Sequence, residues 1–122
     1  MEQSHNPKNY LPLQPHVFQI LVSLLEARMH GYSIIKDISA RTNGELVLGT
    51  STLYAAIKRM VQLALLEETA KPDGVESADV RRRYYGATAF GREVAREEAL
   101  RIRRLDQMVT ETNLLQEKAS SS

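Results

Sequence analysis

Gly49-Thr50-Ser51-Thr52-Leu53-Tyr54-Ala55-Ala56-Ile57-Lys58-Arg59-Met60 is the stretch that decides the fold. Leu53, Ile57 and Met60, continued by Val61 and Leu63, recur at helical spacing, and the four residues before Leu53 bring hydroxyls able to cap a helix start. Lys58 and Arg59 point away from the apolar residues of this helix. A helix with a hydroxyl-rich first turn and cations on its outer face suits the major groove, where the N-terminal turn reaches base edges and phosphates. For Thr50, Ser51 and Thr52 two roles stay open, capping and DNA contact. Tyr54 either packs inward against its own turn or aims its hydroxyl at a phosphate.

Upstream, Tyr32 to Arg41 reads as a shorter helix with Ile34, Ile35 and Ile38 on one side, stopped by Asn43-Gly44. Before it, Pro15 suits a first helical position, and Val17, Phe18, Ile20, Leu21, Leu24 and Leu25 form the broad apolar face of a helix to about Arg28. His30-Gly31 separates the two. Residues 1–14 are polar with two prolines and read as an arm that needs something to pin it. A short helix, a turn and a capped helix make a helix-turn-helix.

Downstream, Leu65 to Thr69 and Arg82 to Ala87 read as two strands around a polar hairpin tip, the wing of a winged helix. Thr88 can cap a last helix reaching about Gln116, too long for the core behind it. On that helix Ile102, Leu105, Val109 and Thr112 alternate spacings of three and four, the seam of a helix-helix contact. Glu98 and Gln116 at the extrapolated positions keep the seam short. The fold class expected is α+β, mainly α.

The 122 residues, 43% of them hydrophobic, are enough for one modest core. Sixteen basic against fifteen acidic residues give a formal charge of +1, so a nucleic-acid role must rest on local clusters and not on global charge. The absence of cysteine excludes disulfides and thiolate metal sites and permits a reducing compartment. No run of about 18 apolar residues and no basic-then-apolar leader is present. A soluble, cytoplasmic protein without membrane contact is expected.

In the wing, Arg81-Arg82-Arg83 precedes Tyr84-Tyr85, and strand alternation puts Arg81, Arg83 and Tyr85 on one face, Arg82 and Tyr84 on the other. Such a run is either a solvated edge or a phosphate contact beside the recognition helix. His5, His16 and His30 lack metal-ligand spacing, and His16 and His30 read as structural hydrogen-bonding groups. No nucleophile elbow, phosphate-cradling glycine loop or paired acid stands out. The expectation is a protein that is not an enzyme and has no cofactor or metal.

Leu13-Gln14-Pro15-His16-Val17-Phe18, His30-Gly31-Tyr32, the stretch from Gly49 to Met60, and Arg82-Arg83-Tyr84-Tyr85-Gly86-Ala87-Thr88-Ala89-Phe90-Gly91 together resemble the PadR family of regulators over about residues 11–105. The resemblance implies a winged helix-turn-helix with a long C-terminal dimerisation helix, of the subgroup with one C-terminal helix. Its implied divisions are an arm at 1–14, a DNA-binding domain at 15–88, a dimerisation helix at 89–117 and a tail at 118–122. The implied function is that of a homodimeric repressor on an inverted-repeat, double-stranded operator beside the gene it governs, released by a small hydrophobic or aromatic effector.

The residues expected at DNA, from their place on the third helix and in the wing, are Thr50, Ser51, Thr52, Tyr54, Lys58, Arg59, Arg81, Arg82 and Arg83, and the resemblance favours phosphate contact for Tyr54. Those assigned to the dimer are Ile102, Leu105, Met108, Val109 and Thr112. An effector pocket is expected where the last helix meets the partner's first helix, at Phe18, Leu105 and Met108. Drug-binding members of similar length hold flat ligands between tryptophans, and this chain has none. His-Gly-Tyr is expected to be a tight turn, with Gly31 allowing close approach and Tyr32 filling the core. The competing reading is a winged-helix module that binds protein and has no operator of its own.

Overall fold

The computed structural model describes residues 6–74 and 82–116. A single 3-10 turn at Pro7–Tyr10 precedes α1 (Pro15–Glu26), β1 (Met29–His30), α2 (Gly31–Arg41), α3 (Thr50–Gln62), β2 (Leu66–Thr69), β3 (Tyr84–Ala87) and α4 (Ala89–Glu111). The strands form one antiparallel sheet in the order β1-β3-β2, with His30 opposite Tyr84 and Glu68 opposite Tyr85. This is a winged helix-turn-helix followed by one long helix. Among the described residues no helix is long and apolar enough to cross a membrane.

The core follows the predicted faces. Ile20, Leu21 and Leu24 of α1, Ile34 and Ile38 of α2, and Leu53, Ile57 and Met60 of α3 are all buried, joined by Leu65, Leu66 and Val94. Each side chain removed from water at this level contributes roughly 1.5–3 kcal/mol of apolar transfer, which is what fixes the three helices against the sheet. Between α2 and α3 the turn is organised by Thr42, whose hydroxyl donates to the Ile38 carbonyl at 2.9 Å and accepts from Leu46 N–H at 3.0 Å. Thr88 caps α4 as expected, accepting from Gly91 N–H at 2.9 Å.

Several expectations shift by small amounts. The first helix ends at Glu26, and the freed Met29-His30 pair becomes a strand, a two-residue element too short to leave a periodic signal. The wing strands are shorter than expected, starting at Leu66 and Tyr84. The last helix stops at Glu111 because Asn113 takes a left-handed conformation, φ 55°. The same device ends α2 at Asn43 (φ 54°) and α3 at Ala64 (φ 62°).

Tyr32 is corrected outright. It is 58% exposed, with Lys36 Nζ 4.7 Å above its ring, because Ile34 and Ile38 take the inward face of α2 and leave positions 32 and 36 outside. Residues 6–14 of the arm are also more closely held than their composition suggests, and residues 1–5 lie outside the described residues. Tyr10 stacks edge-on against Phe90 with ring centroids 5.3 Å apart, and Leu13 N–H donates to Glu98 Oε2 at 2.8 Å. Glu98, side chain buried, therefore pins the arm to α4, with Arg101 as its ionic partner.

Candidate nucleic-acid interface

On α3 the buried residues Leu53, Ala56, Ile57 and Met60 lie on one side, and at about 100° per residue the opposite side is centred on Ser51, Ala55, Lys58 and Gln62. Thr50, Ser51, Thr52, Tyr54, Lys58 and Arg59 are all exposed. They do not share one edge. Thr50 and Tyr54 flank the exposed face towards α2, whereas Thr52 and Arg59 flank it towards the arm and α1. Ala55 and Gln62, at the centre, were absent from the sequence-derived set, because a residue with no charge or hydroxyl gives no chemical signal, although helical phase alone would have found both.

The first turn of α3 differs from expectation in a useful way. The N-cap is Gly49, whose backbone is extended (φ −74°, ψ 158°), and no side chain caps the helix. The hydroxyls of Thr50, Ser51 and Thr52 are therefore not spent on capping. The first-turn N–H groups and the positive end of the helix dipole face outward together with three exposed hydroxyls, an arrangement that favours an anion.

Tyr54 is set by Gly31. A Cβ at Gly31 would lie 2.7 Å from Tyr54 Cζ, so glycine is what admits the tyrosine ring at the start of α2. The ring nonetheless stays 44% exposed. The close approach predicted at His-Gly-Tyr is real, but the aromatic group that uses it comes from α3 and not from Tyr32.

The wing joins this surface through His30. Its Nδ1 accepts from Ser33 N–H at 3.4 Å at the start of α2, its ring stacks edge-on with Tyr84 at 5.4 Å, and Arg82 Nη1 lies 3.2 Å from Nε2. Burial and then the Arg82 guanidinium hold the His30 pKa below its ordinary value. With Nδ1 as the acceptor, Nε2 carries the ring proton and faces Ser33 Oγ at 2.9 Å, so Arg82 is a close cationic neighbour of His30 beside the first turn of α2 and not its hydrogen-bond partner. Arg83, across the strand on the other face, sits 3.9 Å from Glu68, which offsets part of its charge. The Tyr85 hydroxyl is pushed up, first by burial and then by Glu68. Arg81 lies outside the described residues.

On α4, Ile102 (41%), Leu105 (45%) and Met108 (57%) are exposed, Val109 is half-buried and Thr112 is the C-cap. They form an unshielded apolar stripe on one chain. Phe18 is half-buried and packs on the core cluster. A cleft of about 540 Å³ opens elsewhere, between the arm, the start of α1 and the flank of α3, and Phe18, Leu105 and Met108 are not in its lining. Among the described residues no cluster of three or more His, Cys, Asp or Glu side chains suits a metal.

A model of the transcriptional regulator PadR-like family matches residues 20–97. Uncharacterized protein X of Lysinibacillus sphaericus is 32% identical over 81 residues, 66% of this chain and 72% of its own length. The PadR-like transcriptional regulator of Bacillus cereus superposes with a TM-score of 0.66 at 24% identity, over 93% of this chain and 98% of that one. A transcriptional regulator from Clostridium thermocellum gives 0.65 at 22% identity, over 91% and 97%. Bacillus subtilis PadR, solved in complex with operator DNA, gives 0.58 at 15% identity over 70% of this chain and 47% of that one. At these identities the structural likenesses speak for the fold, and together with the match over residues 20–97 they identify the chain as a member of the PadR-like family of transcriptional regulators.

Proposed function

We propose that this chain is a homodimeric repressor that binds an inverted-repeat operator through the exposed face of α3 and the wing, and that a small hydrophobic or aromatic effector releases it. In this reading residues 15–88 bind DNA and 89–117 dimerise. The observation that carries it is the uncapped, hydroxyl-rich first turn of α3 standing on the same molecule as Lys58, Arg59 and an Arg82 whose guanidinium lies beside His30 at the start of α2. Phosphate contacts from Lys58, Arg59 and Arg82 set register and affinity, while Ser51, at the centre of the exposed face, is placed to read base edges. Thr50, Thr52 and Tyr54 support it from the two flanks, and Arg83 contributes less because Glu68 offsets it.

Footprinting on the chain's own upstream region tests the reading. Two symmetric protected half-sites, about one helical turn or roughly 34 Å apart, are expected from a two-fold dimer. One asymmetric block would contradict it. Lys58→Ala and Arg82→Ala should each lower the salt slope of binding by about 1, on specific and random duplex alike. Ser51→Ala should instead change the ranking of operator variants by about 1–3 kcal/mol per affected base pair. A protein that binds no duplex at low salt would favour the protein-docking alternative.

A further inference from the structure

His30 stands where three elements meet, as the last residue of β1, the N-cap of α2 and the partner of Tyr84 across the sheet. Its ring is neutral, with Nδ1 accepting the Ser33 N–H and the Nε2 proton facing Ser33 Oγ. A second proton meets three obstacles there: partial burial, the positive end of α2 with its Ser33 N–H, and the Arg82 guanidinium 3.2 Å from Nε2. The first turn of α2 holds no acid that would offset them. Tyr84 meets the ring edge-on from β3, and Tyr54 brings its hydroxyl from α3 over the adjoining Gly31. Of the cations close by in sequence, Arg28 lies against Gly86 and Lys36 over Tyr32. Arg82 is therefore the charge that bears on His30 among the described residues.

DNA can alter only one of these obstacles. Burial and the helix end belong to the folded chain, and the Ser33 bond, long at 3.4 Å, is lost on protonation with or without DNA, so its cost cancels between the two states. Arg82 is exposed and is read above as a phosphate contact. A phosphate on its guanidinium offsets the charge that opposes His30 and adds a negative charge near the ring. We propose that a DNA phosphate seated on Arg82 draws a proton onto His30, so that the chain binds DNA more tightly in acid. This rests on the DNA reading above and adds regulation by pH to that surface. The sign follows from linkage: the complex holds more protons than the free chain, so a lower pH favours it, and DNA in return raises the proton affinity of the ring by the same factor. In the free chain burial and Arg82 hold the His30 pKa below its ordinary value, which places the response between about pH 5 and 7.

The test uses the full chain, a labelled duplex of its own upstream region and a random duplex of equal length, at constant salt between about pH 7.5 and 5.5. Affinity for both duplexes should rise about threefold or more as the pH falls, because a phosphate contact is blind to sequence. His30→Asn, whose side chain keeps an N-cap acceptor, should lose that dependence, with thermal melting at each pH verifying that both chains stay folded. NMR of the His30 ring reads the proton directly. Its titration midpoint should be higher with the random duplex than without. Arg82→Gln should raise the midpoint of the free chain, by removing the opposing charge, and abolish most of the further rise on adding duplex. An affinity that stays flat or falls in acid, a dependence that survives in His30→Asn, or a midpoint that duplex leaves in place overturns the proposal while the DNA reading stands. A duplex-induced rise that persists in Arg82→Gln overturns the phosphate on Arg82 as its source. A chain that binds no duplex at any of these pH values sinks the DNA reading and the proposal together.

Discussion

The ring of Tyr54 lies across Gly31 so closely that a methyl group there would come within 2.7 Å of Tyr54 Cζ, and nearer still to its hydroxyl oxygen. The nearer obstacle is the outer end of a half-exposed side chain, which can swing out, and the buried Leu53 Cδ2 at 3.2 Å must give by only a few tenths of an ångström, so Gly31→Ala should cost about 1–2 kcal/mol in urea unfolding. Its DNA affinity should nevertheless fall as far as that of Tyr54→Ala, and the double variant should add nothing further. Additive losses would show that Tyr54 does not act from the position Gly31 provides.

Gly91 presents the opposite case. A Cβ there would meet the Leu65 backbone, 3.0 Å from the carbonyl carbon and closer to its oxygen, and backbone cannot swing aside. Gly91→Ala should therefore destabilise by about 3 kcal/mol or more, by forcing α4 away from the end of α3. A midpoint in urea within error of the parent would refute this packing.

Three helices end on a left-handed residue, and two use asparagine, which tolerates that conformation, while α3 uses Ala64 at φ 62°. Ala64→Gly removes the Cβ penalty and should stabilise the protein by about 1 kcal/mol. The Thr88 hydroxyl bond to the Ala64 carbonyl, 2.5 Å long, involves only backbone at position 64 and is kept. Calorimetry should show a higher Tm, and a lower one would mean that the turn relaxes in solution.

Acid should weaken the fold in two steps. His30 has a lowered pKa, so the unfolded chain binds its proton first and stability declines as pH falls below about 6.5. Glu98 is held below the usual carboxylate range chiefly by Arg101 and further by the Leu13 N–H, against the cost of burial. Its contribution is present above about pH 4.3 and is lost as pH drops through the lower folded value. His30→Asn keeps an N-cap and should flatten the first step, while Glu98→Gln should flatten the second. Urea midpoints across pH 3 to 8 check both.

The exposed stripe at Ile102, Leu105 and Met108 is expected to be covered by a second copy. Leu105→Arg should give a folded monomer with an unchanged winged helix, because no described core residue depends on that side chain. Sedimentation at micromolar concentration decides it. A dimer that persists places the interface elsewhere.

The sequence by itself determined the four helices, the wing and the inward faces, because each follows from a local rule: apolar spacing, a hydroxyl or proline at a start, an asparagine at an end. It also put Thr50 to Arg59 on one helix and His-Gly-Tyr at a close approach. Only the tertiary structure decided which aromatic group fills that approach, since Tyr32 and Tyr54 are equivalent by composition and differ only in helical phase against the assembled core. The same holds for Glu98. On the helix it looks like a polar break in an apolar seam, and it becomes a buried anchor because Leu13, 85 positions earlier, brings a backbone N–H to it. Arg82 finds His30 and Thr52 joins Arg59 along the cleft in the same way. Local periodicity fixes which way a residue faces, but what it faces is chosen by segments far apart in sequence, and that choice is made only when the elements pack.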